Sequence, residues 1–253
     1  RLNMNKLVLV SGSSRGLGAH IAKNFINEGY QVALNYFLSK EKAEALESLL
    51  GENCKSFYAD VASRDDVRNM VSQIENHFGK VPSILVNNAL ANYQFNGDLR
   101  KKAEEITIEE INKQVNVTVN GSVNLIQELF KGMKKNKYGK IINIGTNLFQ
   151  NPVVPYHDYI IAKGALLGLT RSFAKDLGKY GIRVNMVSGG LLKTTDASAS
   201  TPEEVFNYIA EQTPVGEVTT LETFTKAMMF FAKNDSDGVT GQNLIVDGGL
   251  TFN

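Results

Sequence analysis

The stretch Leu7-Val8-Leu9-Val10-Ser11-Gly12-Ser13-Ser14-Arg15-Gly16-Leu17-Gly18-Ala19-His20-Ile21 passes from an unbroken apolar run, through a glycine-rich turn, into helical periodicity. A continuous rather than alternating apolar run suits a strand buried on both faces. Glycines at 12, 16 and 18 let the backbone turn sharply and approach a ligand with no Cβ in the way. The first N–H groups of the following helix lack intrahelical partners and, with the helix dipole, favour a pyrophosphate. Strand, turn and helix in this order are the context a dinucleotide site requires. Gly12, Ser14, Arg15, Gly16, Leu17 and Gly18 are the expected contacts.

Outward from this turn the pattern repeats. Apolar runs lie at Lys6–Ser11, Gln31–Tyr36, Cys54–Tyr58, Ser83–Asn87, Lys140–Gly145, Gly181–Val187 and Asn243–Val246. Helical candidates fill 17–28, 40–51, 64–78, 103–135, 158–180, 202–212 and 221–233. Alternating strands and helices predict an α/β fold: a doubly wound, mostly parallel seven-stranded sheet with helices on both faces. No Pro/Gly/Ser-rich linker divides residues 1–253, so one domain is expected, with 190–215 as a substrate loop and small helices. Met4 is the expected native start, with Arg1–Asn3 preceding it.

The second strand bears on cofactor choice. An acid at its end commonly holds the ribose 2′-hydroxyl of NAD. Here the strand ends Asn35-Tyr36-Phe37, with no acid before Glu41. Arg15 lies in the turn, and Lys40 and Lys42 open the next helix, where they equally suit a solvated helix start. This favours a 2′-phosphate, hence NADP(H) over NAD(H), with Tyr36 beside it.

Tyr159 and Lys163 stand four residues apart at the start of a long helical segment, so phenol and ammonium share a face. A nearby ammonium stabilises a phenolate and draws tyrosine toward acid–base use. Thr146 ends the fifth strand thirteen positions earlier, where strand ends line a ligand crevice.

With these motifs in order, the sequence resembles the short-chain dehydrogenase/reductase family over almost its whole length, most of all the 3-oxoacyl-acyl-carrier-protein reductase group. The resemblance rests on Gly12/Gly16/Gly18, Asp60-Val61, Asn87-Asn88-Ala89-Leu90, Tyr159/Lys163, Arg183-Val184-Asn185, Thr240-Gly241-Gln242 and Val246-Asp247-Gly248-Gly249. It implies a Rossmann domain that interconverts a carbonyl and a secondary alcohol with a nicotinamide dinucleotide. Tyr159 would be the proton donor and Lys163 a ligand of the nicotinamide ribose. Asp60, Val61, Asn87, Ala89 and Thr194 would be further cofactor contacts. It also implies a homo-tetramer or homo-dimer, and a small-molecule or acyl-thioester substrate, with fatty acid biosynthesis as the setting.

Departures from the family pattern are specific. Thr146 stands for the family's serine, keeping the hydroxyl. Thr118 takes the place of the helix asparagine that helps hold a relay water, with Asn116 and Asn120 expected to point elsewhere. Leu90 replaces a glycine, and Gly189 a proline. The stretch Asn92–Glu105 is several residues longer than in the carrier-protein reductases, and long loops often cover active sites. Tyr93, Phe95, Phe149 and Tyr156 are candidate pocket residues, although each equally suits loop packing.

Composition excludes other classes. Basic and acidic residues nearly balance, 27 against 26, giving no footprint for nucleic acid or an anionic membrane. A single cysteine forms no internal disulfide and suits a reducing, cytoplasmic setting. No apolar run is long enough for a membrane span, and no ligand cluster has metal spacing. His20 and His77 fit ordinary helix positions, and His157 lies near Tyr159. Two rivals remain: a non-catalytic, cofactor-binding regulator, and an epimerase or dehydratase, which usually carries a further C-terminal domain.

Overall fold

The computed structural model describes residues 6–193, 195, 198–199 and 201–252; Thr194 lies outside them. The apolar runs become β1 (Leu7–Val10), β2 (Gln31–Tyr36), β3 (Cys54–Tyr58), β4 (Ile84–Asn87), β5 (Gly139–Thr146), β6 (Ile182–Gly189) and β7 (Asn243–Val246). They form one sheet in the order β3-β2-β1-β4-β5-β6-β7. Every pairing is parallel, where the sequence predicted a mostly parallel sheet.

The helices are α1 (Gly16–Asn27), α2 (Lys40–Leu50), α3 (Arg64–Phe78), α4 (Ile108–Val115), α5 (Gly121–Asn136), α6 (His157–Leu177), α7 (Glu203–Gln212) and α8 (Leu221–Ala232). Side chains alternate along a strand, so β1 feeds both layers. Leu7 and Leu9 pack with Met70, Leu129 and Leu166 of α3, α5 and α6. Val8 and Val10 pack with Ile21, Phe25 and Met228 of α1 and α8. The continuous apolar run is thereby explained.

The predicted helix 103–135 is corrected in two places. It starts at Ile108, because Thr107 and Glu110 form a reciprocal capping box. It is also interrupted by a π-helical turn, Asn116–Asn120, in which Gly121 N–H bonds back to Asn116 O. That turn inserts a residue and rotates α5 about its axis relative to an unbroken continuation of α4.

β1 lies between β2 and β4, and the chain winds outward from it in both directions. Connections therefore diverge at the carboxyl ends of β1 and β4, opening a crevice there.

Candidate active site

The glycine turn is held from three sides. Asn35 Oδ1 accepts from Gly12 N at 3.1 Å, while Asn35 Nδ2 donates to Ala59 O at 3.1 Å. Asn88 Nδ2 donates to both Ser11 O and Gly12 O at 3.0 Å. Ser11 Oγ accepts from the N–H groups of Asn88 and Ala89. Gly12 and Gly16 have φ of +60° and +56°, a region open to glycine. A Cβ at Gly12 would lie 2.9 Å from Ala89 Cα, whereas one at Gly16 would project into open space. The turn is a rigid cradle whose open side faces the cavity, as a bound pyrophosphate requires.

That cavity, about 1420 Å³, runs along the carboxyl edge of the sheet. Gly12, Ser14, Arg15, Gly16, Leu17 and Gly18 line it at one end. Tyr36, Asp60, Val61 and Ala89 line its flank. No acid stands among the lining residues from Asn35 to Ser39. The Asp60 carboxylate accepts from Ala62 N at 2.9 Å, which fixes it at the end of β3.

Thr146, Tyr159 and Lys163 meet at the centre of the same cavity. Tyr159 and Lys163 come from the first turns of α6, and Thr146 from the last residue of β5. Lys163 Nζ donates to Ile144 O at 2.6 Å and lies 5.8 Å from the Tyr159 ring centroid. Burial pushes the lysine down to about 8. It pushes the tyrosine up to about 12, and the hydrogen-bonded Thr146 hydroxyl only partly opposes this. The sequence predicted a tyrosine lowered by the lysine charge; instead burial dominates, and the lowering influence on Tyr159 comes from Thr146.

Several expected residues lie elsewhere. Asn87 does not line the cavity; its Nδ2 donates to Asn143 Oδ1 at 2.8 Å, bracing β4 against β5. Thr118 is 2% exposed and also stays off the cavity wall, while Asn116 and Val117 line it. Lys113, Asn116 and Val117 share one face at the spacing of an ordinary helix, and the π turn that begins at Asn116 changes the register only of the residues after it, Thr118 among them. Thr118 Oγ1 and Gln114 Oε1 are buried and have no hydrogen-bond partner among the described residues. His157 lines a separate cleft of about 280 Å³. His77 meets Phe78 edge-to-face, with ring centroids 4.6 Å apart.

Asn35, Asn88, Asn143 and Asn147 were not predicted as supports of the site. Asn147 Nδ2 donates to Asp247 Oδ2 at 2.9 Å, and Asp247 also accepts from Gly249 N and Thr251 N. The available signal was a polar side chain inside or beside a strand buried on both faces, which must find a partner.

Known proteins resemble this chain in sequence and fold. The family model described as "Enoyl-(Acyl carrier protein) reductase" matches residues 12–251. The chain belongs to the short-chain dehydrogenase/reductase family. It is 32% identical over 250 residues to the 3-oxoacyl-[acyl-carrier-protein] reductase FabG of Staphylococcus epidermidis, covering 98% of this chain and 99% of the relative. It is 32% identical over 251 residues to the acetoacetyl-CoA reductase of Rhizobium meliloti, covering 98% of this chain and 100% of that one. Among solved structures, a gluconate 5-dehydrogenase from Burkholderia cenocepacia J2315, in complex with NADP and tartrate, superposes with a TM-score of 0.87. That match has 28% identity and covers 97% of this chain and 94% of the other. Short-chain family members are oxidoreductases that use nicotinamide cofactors. Among the described residues, no helix is long and apolar enough to cross a membrane.

Proposed function

We propose that the chain is an NADP(H)-dependent reductase that interconverts a carbonyl and a secondary alcohol, with 3-oxoacyl thioesters as its substrate class. The observation that carries this is the convergence of Thr146, Tyr159 and Lys163 with the glycine cradle on one cavity. A bound nicotinamide dinucleotide supplies or accepts the hydride. The protein's own groups handle the oxygen. Tyr159 Oη donates its proton to the carbonyl oxygen as charge develops there, and the Thr146 hydroxyl donates a hydrogen bond to the same atom. Lys163 keeps two N–H bonds beyond the one to Ile144 O, and these would be offered to the ribose of a bound cofactor.

Arg15 and the acid-free end of β2 support a 2′-phosphate, hence NADP(H). Curated relatives named for 3-oxoacyl and acetoacetyl thioester reduction support the substrate class. The cavity wall at Leu148, Val153, Val154 and Leu192 suits an acyl chain. The setting would be fatty acid biosynthesis in the cytoplasm, with the chain as a homo-tetramer or homo-dimer.

The test is NADPH and NADH oxidation with acetoacetyl and longer 3-oxoacyl thioesters, simple ketones and keto-sugar acids. Thioester turnover with NADPH is expected, and its loss in Tyr159→Phe with NADPH binding retained. Full turnover by Tyr159→Phe would overturn the proton-donor assignment. Binding of NADPH without turnover of any substrate would favour a regulatory protein.

A further inference from the structure

The segment between β4 and α4 crosses the amino end of α6 and is fixed there at two points. Tyr93 Oη donates to Asp158 Oδ1 at 3.1 Å, and Gly97 N donates to Tyr156 Oη at 2.9 Å. Between these anchors the Tyr93 ring stacks on Tyr159, with centroids 5.3 Å apart and planes at 27°. Phe95 meets the same ring edge-on, at 5.2 Å and 89°. Tyr156 closes the cluster against Tyr93 and Phe95 but does not stack on Tyr159 itself. Tyr159 is left 8% exposed although it lines the cavity.

We propose that the ring of Tyr93 is a positioning element for Tyr159, fixing the plane of the phenol and keeping water off its face. The proposal rests on Tyr159 being the proton donor. A phenol clamped between a helix and a stacked ring is rarely misaligned, and its proton passes to the bound carbonyl rather than to solvent. Lys163 from α6 lies beside the Tyr159 ring, Thr146 from β5 hydrogen-bonds to it and Tyr93 stacks on it, whereas Asp158 and Tyr156 meet Tyr93. Only Lys163 brings a positive charge, and the Asp158 carboxylate is engaged by Tyr93. Burial and that carboxylate hold Tyr93 protonated, so it acts as a neutral ring. Burial raises Tyr159 in the same way, and uncovering its face relaxes it downward.

The experiment compares pH profiles of kcat/KM, in both reaction directions, for wild type, Tyr93→Phe, Tyr93→Ala, Tyr93→Leu and Tyr156→Phe. Tyr93→Ala is expected to move the limb that reports Tyr159 to lower pH by roughly one unit and to lower reduction kcat about tenfold. Tyr93→Leu, which keeps bulk and secures folding, moves it the same way by less. Tyr93→Phe keeps the ring and holds the limb within about 0.3 unit of wild type. Tyr156→Phe frees Gly97 without uncovering Tyr159 and also holds it. An unmoved limb in both Tyr93→Ala and Tyr93→Leu, or an equal shift in Tyr156→Phe, overturns the proposal. If Tyr159→Phe is inactive while these limbs stay put, only the role of Tyr93 fails. If Tyr159→Phe is fully active, the underlying assignment fails first.

Discussion

At Gly18 an added Cβ would lie 2.5 Å from Gly12 O, 2.6 Å from Asn88 Nδ2 and 2.8 Å from Ser13 Cα. Two of these atoms are rigid backbone and the third belongs to the brace of the turn, so none can yield cheaply. Gly18→Ala should cost about 1–3 kcal/mol of stability by overpacking, and NADPH affinity should fall at least about tenfold as the cradle shifts. Chemical denaturation and fluorescence titration measure the two, and unchanged values for both would show that the turn tolerates a side chain there. Lys163 shows the opposite trade. It is buried and lowered from 10.5 to about 8, so the folded state binds its proton less readily than the unfolded state. Stability therefore rises with pH between those two values, where the unfolded chain holds the extra proton. Lys163→Met should abolish turnover yet raise stability at pH 7 by about 1–2 kcal/mol, having removed a desolvated charge. The gain should shrink above about pH 8, where the native lysine is already neutral. A variant destabilised at pH 7 would show that the bond to Ile144 O outweighs the burial cost.

At the scale of elements, the break between α4 and α5 changes the helix register just after the residues that face the site. The spacing of two from Val115 through Val117 to Val119 is not that of a regular helix, and the π turn Asn116–Asn120 accommodates it. Val117, Val119 and Val123 all pack against the core, while Asn116 reaches the cavity and Thr118 turns inward. The strands were legible because sheet burial writes continuous apolar runs, and the glycine turn because its backbone tolerates so few residues. The π turn was not, since a single inserted residue leaves no compositional trace. Nor were Tyr93 and Phe95 resolved as partners of Tyr159, because an aromatic in a long loop fits packing and a site equally well. A prediction separates the two possible roles of Thr118. Thr118→Val removes a buried hydroxyl that has no partner among the described residues, so a merely structural threonine should give neutral or slightly higher stability and unchanged kcat. A hydroxyl that supports proton resupply should instead lose about 10–100-fold in kcat, with KM little changed and Thr118→Ser restoring it. Because Thr118 is buried away from the cavity wall, the first outcome is expected.

For the molecule as a whole, the two apolar layers are built independently of the ligand, but the carboxyl edge of the sheet is left open along its length. The glycine turn, the end of β2 and the first turns of α6 reach that edge from separate parts of the chain, and a dinucleotide spanning them would tie the two halves of the sheet together. Ligand that binds only the folded state stabilises it by about 2.7 kcal/mol at a hundred times its Kd. For a chain of this size that corresponds to a melting-point rise of very roughly 5–10 °C. Under the proposed reading, equal concentrations of NADPH and NADH should therefore raise Tm unequally, with NADPH ahead, because its 2′-phosphate would meet Arg15 at the acid-free end of β2. Arg15→Ala should shrink the NADPH shift toward that of NADH and leave the NADH shift nearly intact, since Arg15 would act on the 2′-phosphate. Added salt should narrow the gap in the wild type, as it screens an exposed ion pair. Equal shifts with both cofactors in wild type would assign this edge to NAD(H), and a loss of both shifts in Arg15→Ala would make the arginine a brace of the turn instead.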